Sequence, residues 1–184
     1  MNTGAISVRY ARALLMFANE AGVSADVYCE ALTLSRSFRE VPQLRHAVES
    51  PVMTRDNKYH ILVLAAGGEI TGQMKKFLKL VLDERREKFL IRINQAFIDL
   101  YRKQEKIRVG KLTTAVPMAP EEVERIRQIV VSHAGGTAEF ATKVDPSIEG
   151  GFIFEINTYR LNASVADQMR RIKQQFIEKN RRIV

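Results

Sequence analysis

The spacing of the apolar residues changes once along the chain, near residue 106, and this change limits the folds available to it. From Ile6 to Glu105 the apolar residues recur at steps of three and four, which is the period of an amphipathic helix. After that point, "KIRVGKLTTAVPM" alternates apolar and polar residues, a pattern typical of a strand. We therefore predict an all-helical domain over residues 1–105 and a small α/β domain over residues 106–184.

The helical part divides into six segments joined by short connections. The first places Tyr10, Ala13, Leu14 and Phe17 on one stripe, and its many alanines would let another helix approach closely. Pro42 separates the second segment from a short third one, and Thr54 is a suitable N-cap for the fourth. The fifth has Phe77, Leu78 and Val81 on its apolar side, with Lys75, Lys76 and Lys79 opposite. We predict an antiparallel six-helix bundle.

The second part combines strands with helices. Two further alternating runs, "TAEFATKV" and "GFIFEI", give three predicted strands in all. Pro120 and the glutamates after it are typical of a helix start, and Gly135 and Gly136 of a helix end. A last helix is predicted from Ser164 to Asn180, with an apolar stripe of Val165, Met169, Ile172 and Phe176.

Charge and composition narrow the class of protein. The 184 residues include 29 basic and 21 acidic ones, a net charge of +8 that favours an anionic partner. The charge is spread along the chain, because residues 1–105 and 106–184 each carry +4. The longest apolar run, "HILVLAAGG", is about half of the roughly 18 residues that a membrane span needs. The N-terminus lacks the pattern of a secretory signal, so we expect synthesis in the cytosol.

Residues suited to catalysis or metal binding are scattered. His46, His60 and His133 are far apart, and Cys29, the only cysteine, is expected to be a buried or half-buried helix residue. Gly150 and Gly151 precede a strand, whereas a phosphate loop needs glycines before a helix, so a turn or bulge is the better interpretation. We predict no catalytic residue, no cofactor and no metal site.

Nucleic-acid binding is the alternative that the charge leaves open. Arg85, Arg86, Lys88 and Arg92, with Phe89 among them, could follow a phosphate backbone. Acidic neighbours interrupt this cluster, and Phe89 has the spacing of a core residue. The cluster therefore favours a solvated helix surface over a nucleic-acid interface.

Several motifs together resemble a known family. "RYARALLMFA" at residues 9–18 is similar to its R-Y-A-x-A-L-x-x-x-A, and "SPVMTRDNKYHIL" to a segment with a lysine opening the fourth helix. "FLKLVLDERREKFLIRINQAFIDLY" resembles its long helical hairpin. "KVDPSIEGGFIFEINTYRLNASVADQMRRI", residues 143–172, is similar to K-x-D-x-S-(I/L)-x-G-G followed by D-x-S-(V/I). The family is the delta subunit of bacterial F-type ATP synthase, which includes the mitochondrial oligomycin-sensitivity-conferring protein.

The resemblance implies a non-catalytic stator subunit that links the catalytic head to the peripheral stalk. The N-terminal domain would hold N-terminal helices of alpha subunits, and the C-terminal domain would bind the b subunits; the beta subunit is a further candidate partner. No nucleic acid would be bound, and the membrane would be reached only through the complex, at the cytoplasmic face of the bacterial inner membrane. The implied groove lies between the first and fifth helices. Its candidate residues are Tyr10, Ala13, Leu14, Phe17, Phe77, Leu78 and Val81, with core packing as an equal contender for each.

The residues that carry the C-terminal likeness form a structural signature. They are Lys143, Asp145, Ser147, Gly150, Gly151, Asn162 and Ser164. Asn162 departs from the family, which usually has Asp there. Asparagine also accepts hydrogen bonds and caps helices, so we expect the turn before the last helix to survive. A role that needs a charge at this position would be lost.

Overall fold

The computed structural model describes residues 3–119, 121–125, 128, 137–156 and 159–181. The chain divides into two compact units, Met1–Gln104 and Glu105–Val184. The first is helical, and the second contains a small four-stranded sheet with helices. The prediction of a helical part followed by an α/β part is confirmed at this level.

Residues 3–104 form six α-helices. Short local signals set their ends: Pro42 begins the third helix, and the hydroxyls of Thr54 and Thr71 accept hydrogen bonds from the backbone N–H groups of Asn57 and Met74. The helices are α1 (Thr3–Glu20), α2 (Ser24–Glu40), α3 (Pro42–Glu49), α4 (Arg55–Ala65), α5 (Gly72–Asp83) and α6 (Leu90–Gln104), with a 3-10 turn (Glu87–Phe89) before α6.

The core of the helical unit is built where α1 packs on α5 and α6, and α2 packs on α6. Leu34, Phe97 and Ile93 are completely buried there. The side-chain amide of Asn94 on α6 donates a 2.8 Å hydrogen bond to the carbonyl oxygen of Ala31 on α2, which satisfies a buried polar group. The apolar stripes of these helices therefore face one another, as their sequence period requires.

Cys29 lies on α2 and is exposed, so the expectation of a buried or half-buried residue is wrong. The helical phase explains the difference. Val27, Tyr28 and Ala31 form the buried side of α2, and Cys29 falls outside that arc.

The second unit is organised by a mixed sheet with the strand order β2-β1-β3-β4. Strands β1 and β2 are parallel, and the other two pairs are antiparallel. The strands are β1 (Ile107–Thr114), β2 (Thr137–Val144), β3 (Gly151–Ile156) and β4 (Tyr159–Ser164), and the last helix, α7, is Val165–Arg181.

Strand β4 corrects the prediction of three strands. Its sequence, "YRLNAS", does alternate apolar and polar residues, but the segment is short and the prediction overlooked it. It pairs only with β3, as an edge strand of the sheet. The alternating pattern and the pairing with β3 therefore agree that this segment is a strand.

The sheet covers a small apolar core made by Leu112, Phe154 and Ile156. Phe140 and Val123 pack against this core, and the rings of Phe140 and Phe154 meet edge to face. Residues 121–125 are helical, as the glutamates after Pro120 predict. Pro120 itself and the predicted helix end at Gly135 and Gly136 lie outside the described residues. No helix in the described ranges is long and apolar enough to span a bilayer.

Candidate partner-binding groove

A groove runs between α1 and α5 in the helical unit. It encloses about 720 Å³, and its walls come from α1, α5 and the segment that follows α5. The lining residues are Ile6, Arg9, Tyr10, Ala13, Leu14, Phe17, Lys76, Phe77, Leu80, Glu84 and Arg86.

Five of the seven groove residues named from the sequence lie together in this lining: Tyr10, Ala13, Leu14, Phe17 and Phe77. Leu78 and Val81 do not line it, because both are completely buried in the core. The helical phase of α5 separates the two sets, since positions 76, 77 and 80 follow the groove and positions 78 and 81 face inward.

The floor and the rim of the groove differ in exposure. Leu14 and Phe77 form the floor and are 2% and 7% exposed. Phe17 and Leu80 stand on opposite walls and are 37% and 49% exposed. Exposed large apolar side chains on both sides of a concave surface are typical of a site that receives an amphipathic helix.

Two cations lie over aromatic rings of the groove. The guanidinium carbon of Arg86 is 5.8 Å from the centre of the Tyr10 ring, and the Lys76 ammonium is 5.9 Å from that of Phe17. Both distances are in the range of cation–π contacts. Lys76 therefore belongs to the groove lining rather than to a solvated face opposite the apolar side of α5.

Arg86 reaches the groove because of the way α5 ends. Arg85 adopts a left-handed conformation with φ of 52°, and the N–H of Arg86 donates to the carbonyl oxygen of Val81 at 2.9 Å. Together with the bond from Arg85 N–H to the Leu82 oxygen, this forms a Schellman motif. The sequence pattern placed Arg86 in a basic cluster and not in the groove, because glycine, rather than the Arg85 found here, is the usual signal for such a helix end.

A buried ion pair involves Glu87, the residue after the groove-lining Arg86. Lys58 on α4 is 4% exposed, and its ammonium lies 2.7 Å from a carboxylate oxygen of Glu87. Burial raises the pKa of Glu87, but the hydrogen bond from Lys58, a backbone hydrogen bond and the charges of Lys58 and Arg55 outweigh it and lower the pKa below 4.5. Lys58 is the lysine at the start of the fourth helix in the resemblance, and its role here is to pair with Glu87.

A shallower cavity lies along the other flank of α1. The lining residues that the structure describes all come from α1 and include Val8, Arg12 and Met16. A flank of one helix is open surface with no second wall to enclose a ligand. The groove between α1 and α5 is therefore the better candidate site.

In the second unit, the first half of the signature forms a turn after β2. The Asp145 carboxylate accepts hydrogen bonds from the backbone N–H and the hydroxyl of Ser147, at 3.1 and 2.6 Å. The Lys143 ammonium lies 3.4 Å from the other Asp145 oxygen. The hydrogen bonds from Ser147, followed by the contact with Lys143, lower the pKa of Asp145.

The second half of the signature repeats this turn before α7. The side-chain oxygen of Asn162 accepts hydrogen bonds from the N–H and the hydroxyl of Ser164, at 3.1 and 2.7 Å. The Ser164 hydroxyl in turn accepts from the N–H of Asp167 and caps the helix. Asn162 therefore accepts from Ser164 the same two hydrogen bonds that Asp145 accepts from Ser147, without the charge.

The glycine doublet stands where these two turns meet. The carbonyl oxygen of Gly150 accepts a 3.0 Å hydrogen bond from the N–H of Val165, and Gly151 begins β3 opposite Ser164. Gly151 has φ of 71°, and a Cβ there would overlap the carbonyl oxygen of Ala163. The position requires glycine for close strand packing and has no ligand role in this geometry.

The remaining candidate residues do not converge. No group of three metal-ligand side chains occurs within the described part of the chain, where His46 and His60 lie on α3 and α4, while His133 lies outside it. Arg86 covers Tyr10 instead of joining Arg85 and Lys88 in a basic stripe. Among the described residues, the groove between α1 and α5 is therefore the one candidate site developed below.

Three comparisons with known proteins, by family model, by sequence and by structure, agree with one another. The family model described as "ATP synthase delta (OSCP) subunit" matches residues 6–176. The chain is 55% identical to the ATP synthase subunit delta of Phocaeicola vulgatus and 48% identical to that of Bacteroides thetaiotaomicron, in both cases over the whole of both chains. In fold, it is similar to a chain of the Toxoplasma gondii mitochondrial ATP synthase hexamer, with a TM-score of 0.63, 22% identity, and 93% of this chain and 97% of that one covered.

Proposed function

The chain belongs to the ATP synthase delta (OSCP) subunit family, and from that premise we propose that its α1–α5 groove receives an N-terminal helix of an alpha subunit. The chain is a non-catalytic stator subunit of an F-type ATP synthase. Its task is to join parts of that complex, so the proposal concerns which surfaces form the joints.

The observation that carries the proposal is the groove itself. An alpha-helix with its side chains is about 10 Å wide, and a concave surface with an apolar floor and two apolar walls suits one apolar helix face. The floor residues Leu14 and Phe77 are held rigidly by the core beneath them, and the rim residues Phe17 and Leu80 are accessible to a partner. Aromatic side chains in such positions commonly supply much of the binding energy.

The two units would divide the work. Residues 1–105, as an antiparallel six-helix bundle, would hold the alpha subunits, and residues 106–184 would bind the b subunits of the peripheral stalk, with the beta subunit as a further candidate partner. An exposed apolar stripe on α7 supports a second joint, since Met169, Ile172 and Phe176 are 60%, 46% and 65% exposed. This placement would bring the protein to the cytoplasmic face of the bacterial inner membrane through the complex.

The mechanism follows from the task of a stator. Rotation of the central shaft exerts torque on the catalytic head, and the head must be held still for proton flow to drive ATP synthesis. A joint under torque needs a slow dissociation rate, which comes from buried apolar contact and hot-spot side chains. Reactive side chains would add nothing to this role.

The test is a calorimetric titration of the full chain with a synthetic peptide from the N-terminus of the alpha subunit of the same organism. We expect saturable one-to-one binding. Phe17→Asp and Leu80→Asp, which place a charge on either wall of the groove, should abolish it, because burying an unpaired carboxylate is costly.

Leu64→Asp on α4 is the matched control. Leu64 is 73% exposed and lies outside the groove lining, so this variant should bind as the wild type does. Circular dichroism must show that all three variants keep their helical content. Absence of binding by the folded wild-type chain, or equal loss in Leu64→Asp, would refute the groove as the site.

A further inference from the structure

Arg86 has a donor that finds no acceptor in the part of the chain that the structure describes. Its Nε atom is buried and has no hydrogen-bond partner, while the guanidinium lies over the ring of Tyr10 at the edge of the groove. Buried donors are rarely left unpaired, because the lost hydration is not replaced. Contact with a ring occupies the face of a guanidinium, so an acceptor must approach in its plane. Nε is covered by the protein itself, and the terminal N–H groups of Arg86 are therefore the donors that an acceptor in the groove would meet.

The charges around the groove point to the nature of that acceptor. Arg9, Lys76 and Arg86 contribute three cations to the lining, and Glu84 contributes the only carboxylate. None of the ion pairs described in residues 3–119 joins Glu84 to these cations. An occupant that covers the groove would remove water from Arg86, and a desolvated cation needs a partner.

We propose that Arg86 is a specificity-determining residue of the groove, and that it selects an amphipathic helix carrying a carboxylate where its apolar face meets Tyr10. The inference rests on the proposed function and adds to it the chemistry of the partner. A carboxylate can accept two parallel hydrogen bonds from an arginine, and such charge-assisted pairs are stronger than neutral ones.

Lys76 provides a second cation over an aromatic ring, farther along the groove. Tyr10 and Phe17, the two rings beneath the cations, are seven residues apart on α1, which corresponds to about 10 Å along a helix axis. A second carboxylate two turns from the first would meet Lys76. This pair is exposed and contributes less, because surface ion pairs are weak.

The test is a double-mutant cycle by calorimetry on the full chain, with the alpha-subunit N-terminal peptide as the probe. Each carboxylate of the peptide is replaced in turn by its amide, and each peptide is titrated into the wild type and into Arg86→Gln. We expect Arg86→Gln to weaken binding by at least about tenfold. One amide peptide should lose a similar factor against the wild type and none against Arg86→Gln.

Two further variants separate the role of the Arg86 guanidinium from a general effect of charge. Lys79→Gln removes the same charge from an exposed position of α5 outside the groove, and its affinity should stay within about twofold of the wild type. Arg86→Lys keeps the charge but lacks the planar donors, so its affinity should fall between those of the wild type and Arg86→Gln. It also keeps the cycle measurable if Arg86→Gln does not fold.

The outcomes separate the two proposals. Binding by Arg86→Gln equal to the wild type, or the same loss for every amide peptide in both proteins, overturns the role of Arg86 and leaves the groove in place. A folded wild type that does not bind the unmodified peptide overturns the groove and this inference together.

Discussion

The Lys58 ammonium lies 2.7 Å from the Glu87 carboxylate, and only 5% and 17% of the two side chains are exposed. The pair joins α4 to the 3-10 turn before α6, across 29 positions of sequence. Glu87 follows Arg86 in sequence, so the pair also helps to fix the segment after α5 that lines the groove. A buried pair of this kind matters most when one partner is removed.

Lys58→Met should destabilise the helical unit by about 3 kcal/mol, because it leaves the Glu87 carboxylate buried without a partner. The double variant Lys58→Met, Glu87→Leu should regain more than half of this loss, since it removes both charges. Urea unfolding followed by circular dichroism measures both values. A double variant that is no more stable than Lys58→Met would show that the pair is not coupled.

The pH dependence of this loss has a definite sign. In the wild type, the pKa of Glu87 is held below its usual 4.5, so the carboxylate contributes stability above that pH and loses it as the pH falls through the folded-state pKa. In Lys58→Met, burial without the Lys58 partner should raise the pKa of Glu87 instead. The stability difference between the two proteins should therefore shrink on acidification, and unfolding midpoints at neutral pH and below 4.5 provide the check. A constant difference would contradict the assignment.

Gly151→Ala should disrupt the start of β3. The new methyl group would overlap the Ala163 carbonyl oxygen, and the positive φ of 71° adds strain. Gly22→Ala is the matched control, because Gly22 has a similar φ of 68° with open space around it.

The control should cost about 1 kcal/mol, the price of the left-handed conformation alone, and Gly151→Ala clearly more. Thermal unfolding compares the two variants. An equal loss of stability in the two variants would mean that the overlap with the Ala163 carbonyl oxygen is relieved without cost.

Asn162→Asp tests the departure from the family pattern. The carboxylate can accept the same two hydrogen bonds from Ser164, and a negative charge near the start of α7 is favourable. We expect unchanged or raised stability, by up to about 1 kcal/mol. Asn162→Ala removes the acceptor and should cost about 1 kcal/mol. Calorimetric unfolding distinguishes the two, and a destabilised Asn162→Asp variant would show that the site rejects a charge.

Several features could be predicted because they depend on neighbours in sequence. The apolar period places Tyr10, Leu14 and Phe17 along one side of α1, and the structure brings them to one groove with Phe77. Thr54 caps α4 as its residue type indicates. The change to alternation after residue 106 coincides with the first strand.

Other features depend on contacts between distant segments. The phase that buries Leu78 and Val81 while turning Lys76 and Leu80 to the groove is decided by how α5 packs on its neighbours. Likewise, the strand order β2-β1-β3-β4 is set by pairing between strands that are distant in sequence.

The sequence by itself determined where the helices of the first unit and three of the four described strands form, which faces are apolar and which family the motifs resemble, because periodicity and capping act over a few residues. Only the tertiary structure decided that Arg86 covers Tyr10 and that Lys58 meets Glu87. These contacts join segments far apart in the chain, and the packing of whole helices, which no local pattern encodes, brings them together.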